Sequence, residues 1–353
     1  MANNKELELT IKIAGKMDKS LTSALNSTQK GISGLAKGLS KIGTVGLAAM
    51  GAMGVGAVKF ISDATNKAQE FEQQMADVVK YVDGLADSMG QISNKVDAET
   101  GRTYAENYDL MKKAIMDLSA QIPYTREELT KLAAAAGQSG YSIAELIQYD
   151  QNGQIQGFLK DVAMWGTAMD VDAEQAGNWA AKWEKAFSMT HSEVMEMADV
   201  INYLGANSAT TAAEIASAVN SAASLGQIAG IDVKTTAALA DAMLATGVSA
   251  NRVGTSLKRI YTNMSKGESA TKAQQAAWQE LGFSAEQIAK SMQTDGAGTM
   301  LKVFEAIKEM PSERQVATLS QLFGNWAIEG AGKIVGNLST YTDALKMVQD
   351  PSL

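Results

Sequence analysis

The only histidine of the chain, His191, sits in Thr190-His-Ser-Glu193. Imidazole is the commonest general base, but it needs a fixed nucleophile and an orienting partner, and the sequence supplies neither. At an apparent helix start it reads as a solvated first-turn residue. Gly330-Ala-Gly-Lys333 has part of a phosphate-loop spacing. Ala327 stands where the first glycine belongs, and Ile334 where a magnesium-binding hydroxyl belongs, so the pattern fails at both ends. Asp170-Val-Asp172 with Glu174 opens like a calcium loop. It lacks the central glycine and the closing glutamate, which leaves a helix N-cap as the reading. With 0 cysteines, disulfides, thiolate zinc and a cysteine nucleophile are excluded. The expectation is a chain without catalytic residues, cofactor or metal.

Two further groups are better placed for contact than for reaction. Arg252, Lys258 and Arg259 read as a solvated helix face, or as one that meets an acidic partner. Trp179 and Trp183 are spaced i, i+4, with Trp165 nearby, which is the spacing of core packing on a helix.

The elements that carry these residues must be helices. The 353 residues are 46% hydrophobic and 20% charged, which excludes disorder throughout. Only 3 prolines occur and 6% of residues are aromatic, against 19 methionines, a balance that favours helix over sheet. Capping boxes, in which a hydroxyl residue precedes Glu or Gln by three, are expected at Thr125/Glu128, Ser142/Glu145, Thr190/Glu193, Thr211/Glu214, Ser284/Gln287 and Ser312/Gln315. Alternation of apolar and polar residues is confined to Leu7–Ile13, a candidate strand that could pair with another chain. Thr125 to Gly140 and Thr211 to Gly230 echo each other at a period of roughly 85 residues, suggesting two related helical hairpins.

Charge is unevenly spread. Residues 1–60 carry eight lysines and three acids, leaving −13 for the rest of a chain whose total is −8. That balance argues against a general nucleic-acid coat and leaves no specific nucleic-acid site. The polar start, Met1 to Leu9, is unlike a secretory signal, so synthesis in the cytosol without standard export is expected.

Ile42 to Val58 is an uncharged run between Lys41 and Lys59. Seventeen residues lie at the lower edge of what spans a ~30 Å hydrocarbon core. Gly46, Ala48, Gly51, Ala52, Gly54 and Gly56 are the candidate residues for close helix packing or membrane interaction. Two readings stand: a buried helix in an assembly, or a segment that enters a bilayer at some stage. The fold class is therefore all-α, packed helical hairpins preceded by an apolar, glycine-rich N-terminal helical segment. The divisions expected are 1–61, a helical core region 62–345, and a tail or truncation point 346–353.

From Phe71 to Ile334 the order of features resembles the core region of phage tail tape measure proteins. Phe71-Glu-Gln-Gln-Met-Ala-Asp-Val78 resembles the opening helix, and Ile122-Pro-Tyr-Thr125 precedes an alanine helix ending at Gly137. Asp199-Val200, Ala223-Ser-Leu-Gly226 and Ala240-Asp-Ala-Met-Leu-Ala-Thr-Gly247 follow. Arg252-Val-Gly-Thr-Ser-Leu-Lys-Arg259 is similar to the basic segment of that family, and Leu281-Gly-Phe-Ser284 and Leu322-Phe-Gly324 close the series. The resemblance implies a structural protein of the virion tail, or of a phage-derived injection particle, assembled in the host cytoplasm. It would set tail length, template the tube and assist delivery through the host membrane. The partners implied are the tail tube protein, baseplate or tail-tip hub proteins, tail assembly chaperones and further copies of the chain, with transient host membrane contact. A fully helical chain of this length would reach only ~530 Å at ~1.5 Å per residue. The ruler is therefore expected elsewhere, and the native product is expected to extend beyond Leu353. The competing readings are a helical pore-forming toxin and a helical adaptor.

Overall fold

The computed structural model describes residues 70–349. The candidate strand Leu7–Ile13 and the small-residue run Gly46, Ala48, Gly51, Ala52, Gly54 and Gly56 lie outside the described residues. Those described fall into two units, within 1–113 and 114–353.

In the first unit, helix α1 (70–81) leads to a loop, 82–103, and then to the start of α2 (Tyr104–Gln121). Met75, Val78, Leu85 and Met111 are fully buried between them. Two buried aspartates shape the loop. Asp87 accepts from the N–H groups of Met89 and Gln91, the Ser93 hydroxyl and the Lys95 ammonium. Asp97 accepts from Thr100 N–H and hydroxyl and from Asn107 Nδ2. Each carboxylate replaces water with several donors, so burial is tolerated.

The second unit continues through α3 (Arg126–Gln138), the single turn α4 (Ile143–Leu146), strands β1 (Gln148–Tyr149) and β2 (Ile155–Gln156), α5 (Phe158–Ala168), α6 (Ala173–Phe187) and α7 (His191–Asn207). It then runs through α8 (Ala212–Ile228), α9 (Val233–Ala245), α10 (Ala250–Met264), a 3-10 turn, and α11 (Lys272–Glu280). The remaining helices are α12 (Ala285–Thr294), α13 (Gly296–Glu309), α14 (Ser312–Phe323), α15 (Ile328–Gly336) and α16 (Leu338–Val348). The all-α expectation is met. Its one correction is the antiparallel β1–β2 hairpin, with Tyr149 opposite Ile155. Two-residue strands are too short to show a period; the legible signal is Asn152-Gly153, whose turn Asp150 Oδ1 holds by accepting from Asn152 and Gln154 N–H.

Helix α9 is the centre of this unit, with every residue from Thr235 to Leu244 buried. It packs against α7, α8, α10, α15 and α16. Small residues allow the close approaches: a Cβ at Gly254 of α10 would clash with Ser221 of α8, and one at Gly330 of α15 with Ser256 of α10.

The internal echo has a more local basis than two hairpins. Among the described residues six helix ends share one corner, at Ala136–Ser142, Gly166–Asp172, Glu184–Thr190, Gly226–Asp232, Met243–Ser249 and Trp278–Ser284. In each, the N–H of the sixth residue bonds the carbonyl of the first: Tyr141 to Ala136, Val171 to Gly166, Met189 to Glu184, Ile231 to Gly226, Val248 to Met243, and Phe283 to Trp278. The fifth residue is left-handed in every case, with φ of 91° at Gly140, 55° at Asp170, 53° at Ser188, 84° at Gly230, 90° at Gly247 and 81° at Gly282. This is a Schellman ending, and the residue after it starts the next segment as its N-cap. α3 packs chiefly on α6 rather than on the segment that follows it, so the first copy forms no hairpin of its own.

Five of the six expected capping boxes are present, at Thr125, Ser142, Thr190, Thr211 and Ser284. The sixth is corrected. Ser312 is the first helical residue, behind Pro311, and Gln315 donates instead to the carbonyls of Lys308 and Met310. Two boxes went unread, at Thr103/Glu106 and Thr271/Gln274.

Candidate interaction surface

Helix α10 is strongly two-sided. Val253, Leu257, Ile260, Tyr261 and Met264 are buried, and Ser256 and Gly254 lie against neighbouring helices. The outer stripe, Asn251, Arg252, Thr255, Arg259 and Thr262, is exposed, with Lys258 half-exposed at its margin. Arg252 and Arg259 are two turns apart and share that stripe, while Lys258 is offset from them by about a third of a turn. Arg252 pairs with Glu329 of α15. Among the described residues no carboxylate pairs with Lys258 or Arg259.

The loop between α14 and α15 crosses the edge of this stripe. Ser256 Oγ donates to the Trp326 carbonyl at 3.4 Å, and Asn263 Nδ2 to the Phe323 carbonyl at 3.4 Å. Arg259 lies between Ser256 and Asn263 on the helix surface. Trp326 therefore lies on the loop that runs along the edge of this stripe, and it is 76% exposed. Exposed tryptophan at the edge of an arginine stripe is the composition of a contact centre rather than of a solvated face. The sequence reading missed Trp326; the legible signal was a large aromatic in the turn Gly324-Asn-Trp-Ala327.

The other candidates take structural places. His191 is not simply solvated: Nε2 lies 3.0 Å from Asp161 and Nδ1 3.2 Å from Glu184. These hydrogen bonds, led by the one to Asp161, raise its pKa to about 9, so at neutral pH the imidazolium ties α7 to α5 and α6. Asp172 caps α6 by accepting from Gln175 N–H. Trp165, Trp179 and Trp183 are buried, and Trp183 stacks on both of the others, with centroids 5.8 Å from Trp165 and 6.5 Å from Trp179. Gly330 to Lys333 lie inside α15, where the amides serve the helix and cannot wrap a phosphate. Among the described residues no group of three or more acidic or histidine side chains could hold a metal ion. No described helix is long and apolar enough to cross a membrane.

Residues 112–324, from within α2 to the end of α14, match the family described as phage-related minor tail protein. The chain belongs to that family. A probable tape measure protein of Halomonas phage phiHAP-1 is 27% identical over 285 residues, covering 81% of this chain and 31% of that protein. A tape measure protein of Pneumococcus phage Dp-1 is 23% identical over 266 residues, covering 70% of this chain and 21% of that protein. The chain thus spans about a third or less of the length of the curated relatives it matches. No solved structure matches significantly. The resemblance to tape measure proteins is borne out. The match includes the whole of α10 and stops just short of Trp326.

Proposed function

We propose that this chain is the helical core portion of a tape measure protein, acting in the virion tail or in a phage-derived injection particle. The observation that carries the reading is the match over residues 112–324, together with two relatives that bear that name over most of this chain. The role is architectural and non-catalytic: the native product of which it is part sets tail length and templates polymerisation of the tube in the host cytoplasm. The tail tube protein, the baseplate or tail-tip hub and tail assembly chaperones are its partners, with further copies of itself inside the tube. The ruler lies in parts of the native product outside this chain, since the described helices are short and folded back on one another.

Delivery through the host membrane belongs, on this reading, to Ile42–Val58, whose small residues suit close packing in lipid. In-frame deletions in the extended helical part of the native gene, followed by electron microscopy, test the ruler. Tails should shorten by ~1.5 Å for each helical residue removed. Constant tail length across the series would reject it.

A further inference from the structure

Charge is segregated along the folded chain. Residues 70–349 hold 22 basic and 34 acidic side chains, a net −12. Within that acidic body, residues 242–267 contain no acid and four cations: Arg252, Lys258, Arg259 and Lys266. Residues 186–233 are the reverse, with no lysine or arginine and five acids: Glu193, Glu196, Asp199, Glu214 and Asp232. The first stretch contains α10 and the second contains α7, and both helices pack on α8 and α9.

The exposed face of α7 mirrors that of α10. Glu196, Asp199 and Tyr203 recur at i, i+3 and i+7, and all three are exposed. Glu196 is partly neutralised by Lys234. Among the described residues Asp199 has no such partner, and partial desolvation raises its pKa. An acidic stripe with a tyrosine thus stands on one helix, and a basic stripe with an exposed tryptophan on another.

We propose that the α10 stripe, centred on Arg259 and Trp326, docks on the α7 stripe, centred on Asp199 and Tyr203, of a second copy of this chain. The inference rests on the tape-measure reading only in its purpose, not in its chemistry. The two stripes are different surfaces of one copy, so the contact is head to tail, and each copy keeps one free stripe for the next. Where the rotation closes, such a contact sets copies abreast in a ring, so tail length still follows the extent of one chain. Duplex nucleic acid is a poorer occupant. The body repels a polyanion, and Glu329 already occupies Arg252 within the patch.

The test is sedimentation of the full 353-residue chain at ~50 mM and ~500 mM salt, where screening differs most. The expected result is concentration-dependent association that weakens at high salt. Arg259→Glu and Asp199→Lys should each weaken it about tenfold or more by placing like charges together. The double variant Arg259→Glu/Asp199→Lys should recover most of the loss, because the pair is restored with its signs exchanged. Trp326→Ala should weaken association without changing its salt dependence. Circular dichroism of each variant identifies any that fails to fold, and the charge-exchanged double variant then carries the test. A monomer at all concentrations would overturn the contact, as would single reversals that associate like the parent. Salt-sensitive binding of a short DNA duplex through Arg259 without self-association would also overturn it. None of these results bears on tail length, so the ruler reading stands or falls separately on the deletion series.

Discussion

His191 Nε2 lies 3.0 Å from the carboxylate of Asp161, thirty residues earlier, while its Nδ1 faces Glu184 at 3.2 Å. One imidazolium thereby joins the first turn of α7 to α5 and α6. Its pKa is raised from 6.5 to about 9 in the fold. The folded state then holds more protons than the unfolded state between those values, so stability is full below pH 6.5 and declines as pH rises through about 9. The ring is about a third exposed, and solvent screening reduces the contribution to about 1–2 kcal/mol. Chemical denaturation at pH 6, 7.5 and 9 should reveal this decline. His191→Gln should lose a similar amount at pH 6 and flatten the slope; an unchanged slope would remove the clasp.

Gly140 and Gly230 occupy the same place in two copies of the Schellman corner, yet their surroundings differ. A Cβ at Gly140 meets only the Lys185 ammonium, at 3.5 Å. One at Gly230 would overlap the backbone carbonyl of Met292. Gly140→Ala should therefore cost about 1 kcal/mol, the left-handed penalty alone. Gly230→Ala should cost more than about 3 kcal/mol, because backbone must move. Equal losses in urea denaturation would contradict the packing of the 230 corner on 292–296.

The two similar sequences Thr271-Lys-Ala-Gln274 and Ser312-Glu-Arg-Gln315 make opposite predictions. Thr271 Oγ1 accepts from Gln274 N–H at 3.2 Å, whereas Ser312 makes no cap bond. Thr271→Ala should cost about 1 kcal/mol and Ser312→Ala should be nearly neutral. Thermal unfolding of both variants reads the difference directly.

Asp87 is held at about 2, chiefly by the Lys95 ammonium and then by backbone donors of its own loop. Its contribution is present above pH 3.8 and fades as pH falls through about 2. Asp87→Asn should loosen loop 82–103 at neutral pH. Limited proteolysis near Met89 and Ile92, both exposed, should then accelerate while cleavage elsewhere is unchanged.

The sequence by itself determined the helical class, most caps and the two-sided character of α10, because capping chemistry and apolar spacing act within about four residues. It also carried the family resemblance that the match over residues 112–324 bears out. Its reading of Asp172 as a cap and of the tryptophans as core packing survived for the same reason: a side chain bonding three residues ahead, and an i, i+4 pair, are local facts. Tertiary structure alone decided that His191 is clasped by carboxylates on two other helices, since nothing in Thr190-His-Ser-Glu193 encodes Asp161. It decided that Ser312 would not cap, because Gln315 finds carbonyls at the end of the preceding helix. It also decided which corner glycine is irreplaceable and that Trp326 stands exposed on the loop along α10. Those properties depend on which distant backbone arrives at each place, and that is set by burying all the apolar stripes together rather than by any one of them.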